Sequence, residues 1–364
     1  MLMEYITYNM KILVISNMYP SDEYKMYGTF VKKTTQAMEQ NNELKKIVMT
    51  KKKNKIAKLL SYFIFYLKII NFYLLKDYDL VYIHYPSHVS FIFNKLLKLK
   101  SQRLIINVHG TDIVAEKGIE LAMRKYTERI MKKAEKVVVP SMFFKDYIVK
   151  NYNLGESKIY IYPSGGVNSL IFKQPAEIKG KQEIYSYISR IDNGKGWDTY
   201  VKAISYIKMS YPKDFKRLTF KIIGSGSKSN VMMKLLEELS LLDDVIIIDS
   251  QPQEYLAKII HESKFVVFPS ELKESLGLVG LESLACGTPL ISTGSGGISS
   301  YLVDEYNGFR FTVGDEIHLA NKIISASKLT KENYSKMVES SILTSKDYLD
   351  INVDEYLIKT IMEC

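Results

Sequence analysis

Residues 265–293 read FVVFPSELKESLGLVGLESLACGTPLIST, and their pattern indicates the architecture of the chain. It begins with the apolar run 265–269 and ends with the apolar run 289–293, each of strand length. Between them, residues 276–286 carry apolar side chains on nearly every face of a helix, which predicts a helix buried between layers. A strand, a helix and a second strand in this order are typical of a βαβ unit with parallel strands.

The same alternation of short apolar runs and helical segments recurs along the whole chain. Strands are predicted at 11–16, 45–50, 80–85, 104–109, 136–140 and 158–162, and again at 183–189, 218–223, 245–249, 265–269, 289–293 and 308–311. Most of these runs are continuously apolar, as in strands that helices cover on both faces. The chain is therefore predicted to form two doubly wound, Rossmann-like parallel-sheet domains of the α/β class, facing each other across a cleft.

The boundary between the two domains is predicted in the stretch 163–180, which is rich in Pro, Gly and Ser and has no periodic pattern. This boundary defines an N-terminal domain at 1–165 and a C-terminal domain at 166–349. The last helical segment, 350–364, is expected to pack back on the N-terminal domain.

Composition excludes several classes of protein. With 364 residues, 46% of them hydrophobic and 25% charged, the chain is expected to be globular rather than disordered or fibrous. Cys286 and Cys364 are too few for a disulfide scaffold or a cysteine-based zinc module, so a reduced, cytoplasmic compartment is expected. The N-terminal residues do not show the pattern of a secretory signal.

The residues that follow strand 265–269 are candidate site residues, because ligands of doubly wound folds bind beyond the carboxyl ends of the strands. Free amides at a helix start, together with the helix dipole, suit a diphosphate, and here they are predicted at Ser275, Leu276, Gly277 and Leu278. Glu282 is the only charge on the predicted helix, and a buried carboxylate needs hydrogen-bond donors such as sugar hydroxyls. Taken alone, Glu274 or Glu282 is also compatible with a structural role.

Glu274 and Glu282, with seven residues between them and Ala-Cys-Gly-Thr-Pro at 285–289, resemble the signature of one enzyme family. The pattern is similar to that of retaining GT-B glycosyltransferases of the group 1 type, glycosyltransferase family 4. The resemblance implies that Glu274 holds hydroxyls of the donor sugar and that Glu282 holds the ribose hydroxyls of the nucleotide. The amides between the two glutamates would then hold the diphosphate.

Two cations and a glycine loop extend the resemblance in the C-terminal domain. Arg190 and Lys195 follow strand 183–189 and match the two cations that the family sets against the diphosphate. They would neutralise the charge that grows on the leaving group as the glycosidic bond breaks. Ser189 departs from the glycine that the family usually has at this position. Gly224 follows strand 218–223 and is expected near the nucleotide, with a plain turn as the alternative.

The matches in the N-terminal domain are looser. Gly28 follows the first strand and would let the backbone approach the donor phosphate or the acceptor, although the family usually has a Gly pair where this chain has Tyr27-Gly28. His109-Gly110-Thr111-Asp112 resembles the family's His-Gly-x-Asp element, whose His lies near the donor sugar and the acceptor. His84 and Asp112 are expected on the acceptor side, and a structural role is the alternative for each histidine.

A basic and aromatic stretch spans residues 44–76, which contain nine lysines and no acid. Its run 59–75 is shorter than the roughly 20 residues of a bilayer span and contains Lys68 and Asn71, so no transmembrane helix is predicted. Two interpretations stay open: an interfacial site on anionic lipid, or a buried helix of the domain beside a solvated lysine loop. Nucleic acid is not expected, because no recognised binding module accompanies the patch. The lysines that lead into the run are Lys51, Lys52, Lys53 and Lys55.

The resemblance implies transfer of a hexose or N-acetylhexosamine, with retention, from a nucleotide diphosphate sugar to a glycan acceptor. UDP is expected as the nucleotide because the family uses it often. The N-terminal domain would bind the acceptor and the C-terminal domain the nucleotide sugar, in bacterial cell-surface polysaccharide or glycoconjugate synthesis. If the acceptor is lipid-linked, the cytoplasmic enzyme would be peripheral on the inner face of the plasma membrane.

No metal or other cofactor is expected. Asp77-Tyr78-Asp79 looks like the metal-binding DxD of another glycosyltransferase fold, but it precedes a strand and so lies at the wrong end of the sheet. Three alternatives to a transferase stay open: a sugar-nucleotide epimerase or a phosphorylase on the same fold, and a non-catalytic GT-B subunit that binds a partner protein.

Overall fold

The computed structural model describes residues 9–25, 27–114, 118–174 and 182–362. The chain divides into two compact units, one comprising Met1–Gly165 with Val353–Cys364 and the other comprising Gly166–Asn352. The change of unit therefore falls within the predicted boundary stretch 163–180, of which residues 175–180 lie outside the described residues. The chain re-enters the first unit at Val353, three residues beyond the predicted position.

The first unit contains a six-stranded parallel sheet in the order β2-β1-β3-β4-β5-β6. Along β1, Ile12 and Val14 are buried in the layer on one face of the sheet, and Leu13 and Ile15 in the layer on the other. This burial on both faces is what the continuous apolar runs predict. The strands are β1 (Lys11–Tyr19), β2 (Glu43–Thr50), β3 (Leu80–His84), β4 (Leu104–Asn107), β5 (Lys136–Val139) and β6 (Ile159–Ile161). The helices are α1 (Thr29–Glu39), α2 (Lys55–Leu75), α3 (Ser90–Leu99), α4 (Gly118–Lys133) and α5 (Met142–Tyr152).

The second unit contains a six-stranded parallel sheet in the order β12-β11-β10-β7-β8-β9. The chain moves outward from β7 in one direction and from its neighbour β10 in the other, so the topological switch point lies between these two strands. The strands are β7 (Ile184–Ile188), β8 (Thr219–Ile223), β9 (Val245–Ile248), β10 (Phe265–Phe268), β11 (Leu290–Ser292) and β12 (Gly308–Arg310). The helices are α6 (Trp197–Ser210), α7 (Pro212–Phe215), α8 (Ser229–Glu238), α9 (Gln253–Glu262), α10 (Leu278–Ala285), α11 (Glu316–Ser327) and α12 (Lys331–Ser345).

The last helix, α13 (Asp350–Met362), packs on the first unit. Val353 and Leu357 are buried in the same apolar cluster as Ile12 and Val14 of β1. Polar contacts add to this packing: the Tyr162 hydroxyl donates to Asp354 Oδ1 at 3.1 Å, and Lys136 Nζ donates to the Thr360 carbonyl at 2.8 Å.

The prediction of an α/β fold with two doubly wound, Rossmann-like parallel sheets is confirmed. One local difference concerns α10, which begins at Leu278 rather than at Leu276. The reason is Gly277, whose φ of 76° places it in the left-handed region, so it caps the helix instead of belonging to its first turn.

Within the part of the chain that the structure describes, helix α2 is covered on one face only. Phe65, Ile69 and Tyr73 are buried, and most of the remaining side chains are exposed. Among the described residues, α2 is also the one helix that is long and apolar enough, on length and composition alone, to cross a membrane.

Candidate functional site

The centre of the second unit brings together two of the predicted site residues. Lys195 follows β7, Glu274 follows β10, and these strands flank the switch point. Lys195 Nζ lies 2.6 Å from Glu274 Oε1, and the buried Ser270 hydroxyl donates to the same oxygen at 2.6 Å. The Lys195 and Glu274 side chains are only 12% and 15% exposed, so water screens this ion pair weakly.

The same geometry leaves hydrogen-bonding capacity for a ligand. An ammonium group has three N–H donors, and Glu274 engages one of those of Lys195. Both side-chain hydrogen bonds that the described residues make to the Glu274 carboxylate go to Oε1, which leaves Oε2 as an acceptor for hydroxyl groups. The pair thus combines a cation suited to phosphate with a carboxylate suited to sugar hydroxyls.

Arg190 reaches the same edge of the sheet in a more exposed position. Its guanidinium NH1 lies 3.0 Å from Asp192 Oδ2, and its side chain is 72% exposed. Asp192 is in turn fixed by Ser227, whose backbone N–H and hydroxyl donate to Oδ1 at 2.9 and 2.8 Å. These two bonds lower the pKa of the Asp192 carboxyl, which keeps it charged beside Arg190.

The loop after β8 packs directly on the turn after β7. A Cβ on Gly224, whose φ is 144°, would lie 1.9 Å from the Ser189 carbonyl oxygen, and one on Gly226 would lie 2.3 Å from the Ile191 oxygen. Both positions therefore require glycine for contact with their own chain. This explains Gly224 without a ligand, and its predicted place near the nucleotide stays a prediction.

The start of α10 differs in detail from the predicted anion site. Leu278 is the first residue of the helix and Gly277 is its cap, so Ser275 and Leu276 lie in the loop that precedes it. Tyr301 supports this helix start, because its hydroxyl donates to the Gly277 carbonyl at 2.8 Å. The first-turn amides, with the helix dipole behind them, suit an anion.

A glycine loop that was not predicted from the sequence supports Glu274. The Gly297 N–H donates to the Glu274 carbonyl at 2.7 Å, and a Cβ on Gly296 would lie 2.6 Å from both the nitrogen and the oxygen of Glu274. A detectable signal did exist, since Gly294, Gly296 and Gly297 fall within five positions after β11.

Glu282 lies inside α10 and is only 8% exposed, as predicted for a buried carboxylate. Gln253, the first residue of α9, directs its Nε2 toward Glu282 Oε1 at 3.5 Å. Nothing in the local sequence of Gln253 or Tyr301 indicates that they contact α10, because both come from distant parts of the chain.

The first unit places His84 and His109 side by side. His84 Nδ1 lies 3.0 Å from His109 Nε2, so one of these nitrogens donates and the other accepts. Both rings are buried and stacked, and Phe30 of α1 covers His109 with ring centroids 4.2 Å apart. Burial lowers the pKa of His109 to about 3 and that of His84 well below its usual range, so both imidazoles are neutral near pH 7.

Asp112 and Gly28 complete this arrangement. Both Asp112 carboxylate oxygens accept the His109 backbone N–H, at 2.9 and 3.2 Å. Burial raises the pKa of Asp112 to about 7 and outweighs the backbone N–H groups that lower it.

Gly28 caps α1 with a φ of 76°, and a Cβ there would lie 2.8 Å from the Met18 carbonyl carbon. Gly28 is therefore needed for contact with the end of β1 itself.

Acid is expected to destabilise the protein through the two histidines. Their folded pKa values are lowered, so stability present above about pH 6.5 is lost as unfolded imidazoles take up protons that the buried rings exclude. The effect of Asp112 on the pH dependence of stability has the opposite sign. Because its pKa is raised in the folded state, its protonation below pH 7 favours that state. His84→Gln removes one of the two imidazoles, so the difference in unfolding free energy between the wild type and this variant reports the contribution of His84. Measured by urea titration, this difference should fall by about 2 kcal/mol from pH 7 to pH 5.

The control for this prediction is His318→Gln, because His318 is only half-buried in α11. Its difference from the wild type should change less than half as much over the same pH range. Equal changes for the two variants would contradict the assignment of the acid sensitivity to the buried pair.

The predicted basic residues lie at the entry of α2. Asn54 caps the helix by accepting the backbone N–H groups of Ile56 and Ala57. Lys51, Lys52, Lys53 and Lys55 are all exposed, and Lys53 pairs with Glu23 at 2.7 Å. The described residues contain no group of three or more His, Cys, Asp or Glu side chains arranged to hold a metal ion.

Family models cover both units. The model described as "Glycosyl transferases group 1" matches residues 169–342, and the model described as "Glycosyltransferase Family 4" matches residues 35–165. The chain belongs to the group 1 glycosyltransferases. The group 1 model spans Lys195, Glu274 and Glu282, and the family 4 model spans His84 and His109.

Solved structures show the fold of this group 1 glycosyltransferase to be GT-B. HepE of Anabaena, determined in complex with UDP, has a TM-score of 0.78 at 15% identity and covers 98% of this chain and 100% of its own. Sucrose-phosphate synthase from Thermosynechococcus elongatus has a TM-score of 0.77 at 18% identity and covers 98% of this chain and 99% of its own.

Curated relatives match over part of their length. An N-acetyl-alpha-D-glucosaminyl L-malate synthase from Bacillus anthracis is 25% identical over 268 residues, which are 70% of this chain and 66% of the relative. A D-inositol 3-phosphate glycosyltransferase from Segniliparus rotundus is 25% identical over 188 residues, which are 50% of this chain and 41% of the relative. The aligned parts of this group 1 glycosyltransferase thus span less than two thirds of these relatives.

Proposed function

We propose that this protein transfers a hexose or N-acetylhexosamine from a nucleotide diphosphate sugar to a glycan acceptor with retention of configuration. The observation that carries the proposal is the contact of Lys195, Glu274 and Ser270 at the switch point of the second unit. UDP is proposed as the nucleotide, because HepE of Anabaena has been crystallised with UDP and with UDP-glucose.

The second unit supplies the donor-binding groups in this proposal. The diphosphate lies against the start of α10, where Lys195 and Arg190 balance its charge. Glu274 and Glu282 accept hydrogen bonds that the hydroxyls of the sugar and the ribose donate. When the bond between the anomeric carbon and the phosphate oxygen breaks, its electron pair stays on the diphosphate. The two cations stabilise this growing negative charge, which is the usual source of rate enhancement in such sites.

The acceptor hydroxyl then bonds to the anomeric carbon on the face that the diphosphate leaves, and its proton passes to the leaving phosphate oxygen. This proposed route needs no protein nucleophile. The first unit contributes His109, whose neutral imidazole can hydrogen-bond to sugar hydroxyls, while Asp112 and His84 fix its position.

The experiment that tests this proposal is a panel of nucleotide sugars, assayed first for protection against thermal unfolding and then for transfer. One donor is expected to raise the apparent melting temperature, since a ligand that binds only the folded state stabilises it by mass action. Conversion of that donor without any acceptor would favour an epimerase instead. If Glu274→Ala kept full activity in a complex with a partner protein, the chain would be a non-catalytic subunit.

Chelation is expected to leave transfer unchanged, because Arg190 and Lys195 are proposed to supply the charge that a divalent metal provides in other enzymes. Initial rates are to be compared with and without excess EDTA after extensive dialysis. Complete loss of turnover that magnesium restores would contradict metal independence.

We also propose a cytoplasmic location, with the protein peripheral on the inner face of the plasma membrane and acting on a lipid-linked acceptor in bacterial cell-surface polysaccharide or glycoconjugate synthesis. The basic stretch at 44–76 supports this proposal. Its structural basis lies in α2.

A further inference from the structure

The outward face of α2 is apolar, although the other described residues leave it exposed. Eight large apolar side chains of this helix are between 37% and 78% exposed. Those that face away from the sheet recur at helical spacing, so they form one continuous stripe along the helix. The eight are Ile56, Leu59, Leu60, Phe63, Ile64, Leu67, Ile70 and Leu75.

The opposite face of α2 holds the helix against its domain. Phe65, Ile69 and Tyr73 are buried in the main apolar cluster of the first unit. The Tyr66 hydroxyl donates to the His88 carbonyl at 2.9 Å, and the Tyr73 hydroxyl donates to the Lys100 carbonyl at 2.7 Å. A bilayer-spanning orientation would break all of these contacts, so the exposed stripe is suited to a surface that the folded domain approaches from outside.

The charged side chains of α2 and of the segment that leads into it are all lysines. Residues 44–76 contain nine lysines and no acid, and two of these lysines are paired, Lys53 with Glu23 and Lys46 with Glu39. A cluster of cations around an apolar helical face complements a surface that combines negative headgroups with acyl chains. The exposed lysines next to or on α2 are Lys51, Lys52, Lys53, Lys55, Lys58, Lys68 and Lys76.

We propose that α2 is a membrane-docking helix that lies in the plane of an anionic bilayer, with its exposed stripe inserted among the acyl chains and its lysines at the headgroups. The helix also contacts the candidate acceptor side. Tyr62 of α2 stacks on His88, which follows β3, at 5.8 Å between ring centroids, and its hydroxyl lies 3.5 Å from Asn17 Nδ2 at the end of β1. Docking through α2 would therefore place the carboxyl edge of this sheet near the headgroups.

Vesicle binding of the full chain tests the proposal directly. Sedimentation with vesicles of phosphatidylcholine and phosphatidylglycerol should show binding that Leu60→Glu/Leu67→Glu weakens at least tenfold. The matched control is Met209→Glu/Leu343→Glu in the second unit, where the replaced side chains are 73% and 57% exposed. Equal binding by the wild type and the α2 variant would overturn the proposal.

Two further measurements separate insertion from simple charge attraction. Replacing Lys51, Lys52, Lys53 and Lys55 by Gln should weaken binding to the anionic vesicles at least tenfold. A Phe63→Trp variant should show a blue-shifted emission that brominated lipids quench, whereas the native Trp197 is buried in the second unit and serves as the background. Binding without a shift or quenching would mean adsorption only and would reject insertion.

A second copy of the chain is the other occupant that the experiment can reveal. If light scattering showed a dimer that Leu60→Glu/Leu67→Glu converts to a monomer, and vesicle binding were absent in the wild type, the stripe would be a dimer interface and the proposal would fail. None of these measurements requires sugar transfer, so the docking proposal and the proposed activity succeed or fail separately.

Discussion

Lys195→Ala is expected to lower kcat for sugar transfer by about 100-fold or more, which corresponds to about 2.7 kcal/mol of transition-state stabilisation. The Lys195 ammonium lies at the switch point, 12% exposed and 2.6 Å from Glu274, so water cannot readily replace its charge. The substitution removes the cation that is proposed to face the diphosphate and also frees the Glu274 carboxylate that it holds. Steady-state rates at saturating donor, with and without acceptor, measure the effect.

Lys202→Ala is the matched control for this prediction, because Lys202 lies exposed on α6, one turn beyond the same loop. It should leave kcat within about twofold of the wild type. Arg190→Ala is expected to show a loss of the same order as Lys195→Ala, despite its exposure, since a bound diphosphate would cover it. A drop below threefold for Lys195→Ala would rule out its proposed role.

Gly296→Ala is expected to lower kcat/KM for the donor by about 10- to 100-fold. A Cβ at this position would lie 2.6 Å from two backbone atoms of Glu274, so the loop that carries the carboxylate must move. A displacement of about 1 Å at a reacting group is enough for a loss of this size. The same overlap should reduce the free energy of unfolding by about 1–3 kcal/mol, measured by urea titration.

Gly314→Ala separates this overlap from backbone strain. Gly314 has a φ of 71°, close to the 62° of Gly296, but a Cβ there would meet nothing within 4 Å. This variant should lose only about 1–2 kcal/mol of stability, from the left-handed backbone, and keep its kcat/KM. If the two variants lost the same donor activity, contact with Glu274 would not be the cause.

The sequence was sufficient for the sheet architecture and for the loops that carry the candidate site. Continuous apolar runs predicted the central strands, and the spacing of Glu274 and Glu282 indicated the donor loop because both lie in one local segment. Gly224 and Gly28 were predicted to lie close to a ligand, but the structure shows that contacts with their own backbone neighbours already require glycine. A glycine in the sequence indicates that another group packs closely against the backbone, but it does not indicate whether that group is a ligand or the protein itself.

Contacts between segments that are distant in the chain could not be predicted from the sequence. The bonds of Ser270 and Lys195 to a single oxygen of Glu274, the Gly296 loop behind it, and the pairing of His84 with His109 all depend on strand order. Helix α2 illustrates the same limit: its apolar composition is equally compatible with a buried helix and with an exposed surface. Burial of Phe65, Ile69 and Tyr73, with Leu60 and Leu67 left outside, distinguishes the two.

Periodicity and backbone preference are local properties, so the order of residues was enough to predict the two parallel sheets and the residue types at the ends of their strands. Which oxygen, ring nitrogen or apolar face meets which partner depends on how the folded chain brings distant segments together. Those contacts join residues that lie far apart in the chain, 79 positions in the case of Lys195 and Glu274, and they exist only once the sheet has set its strand order.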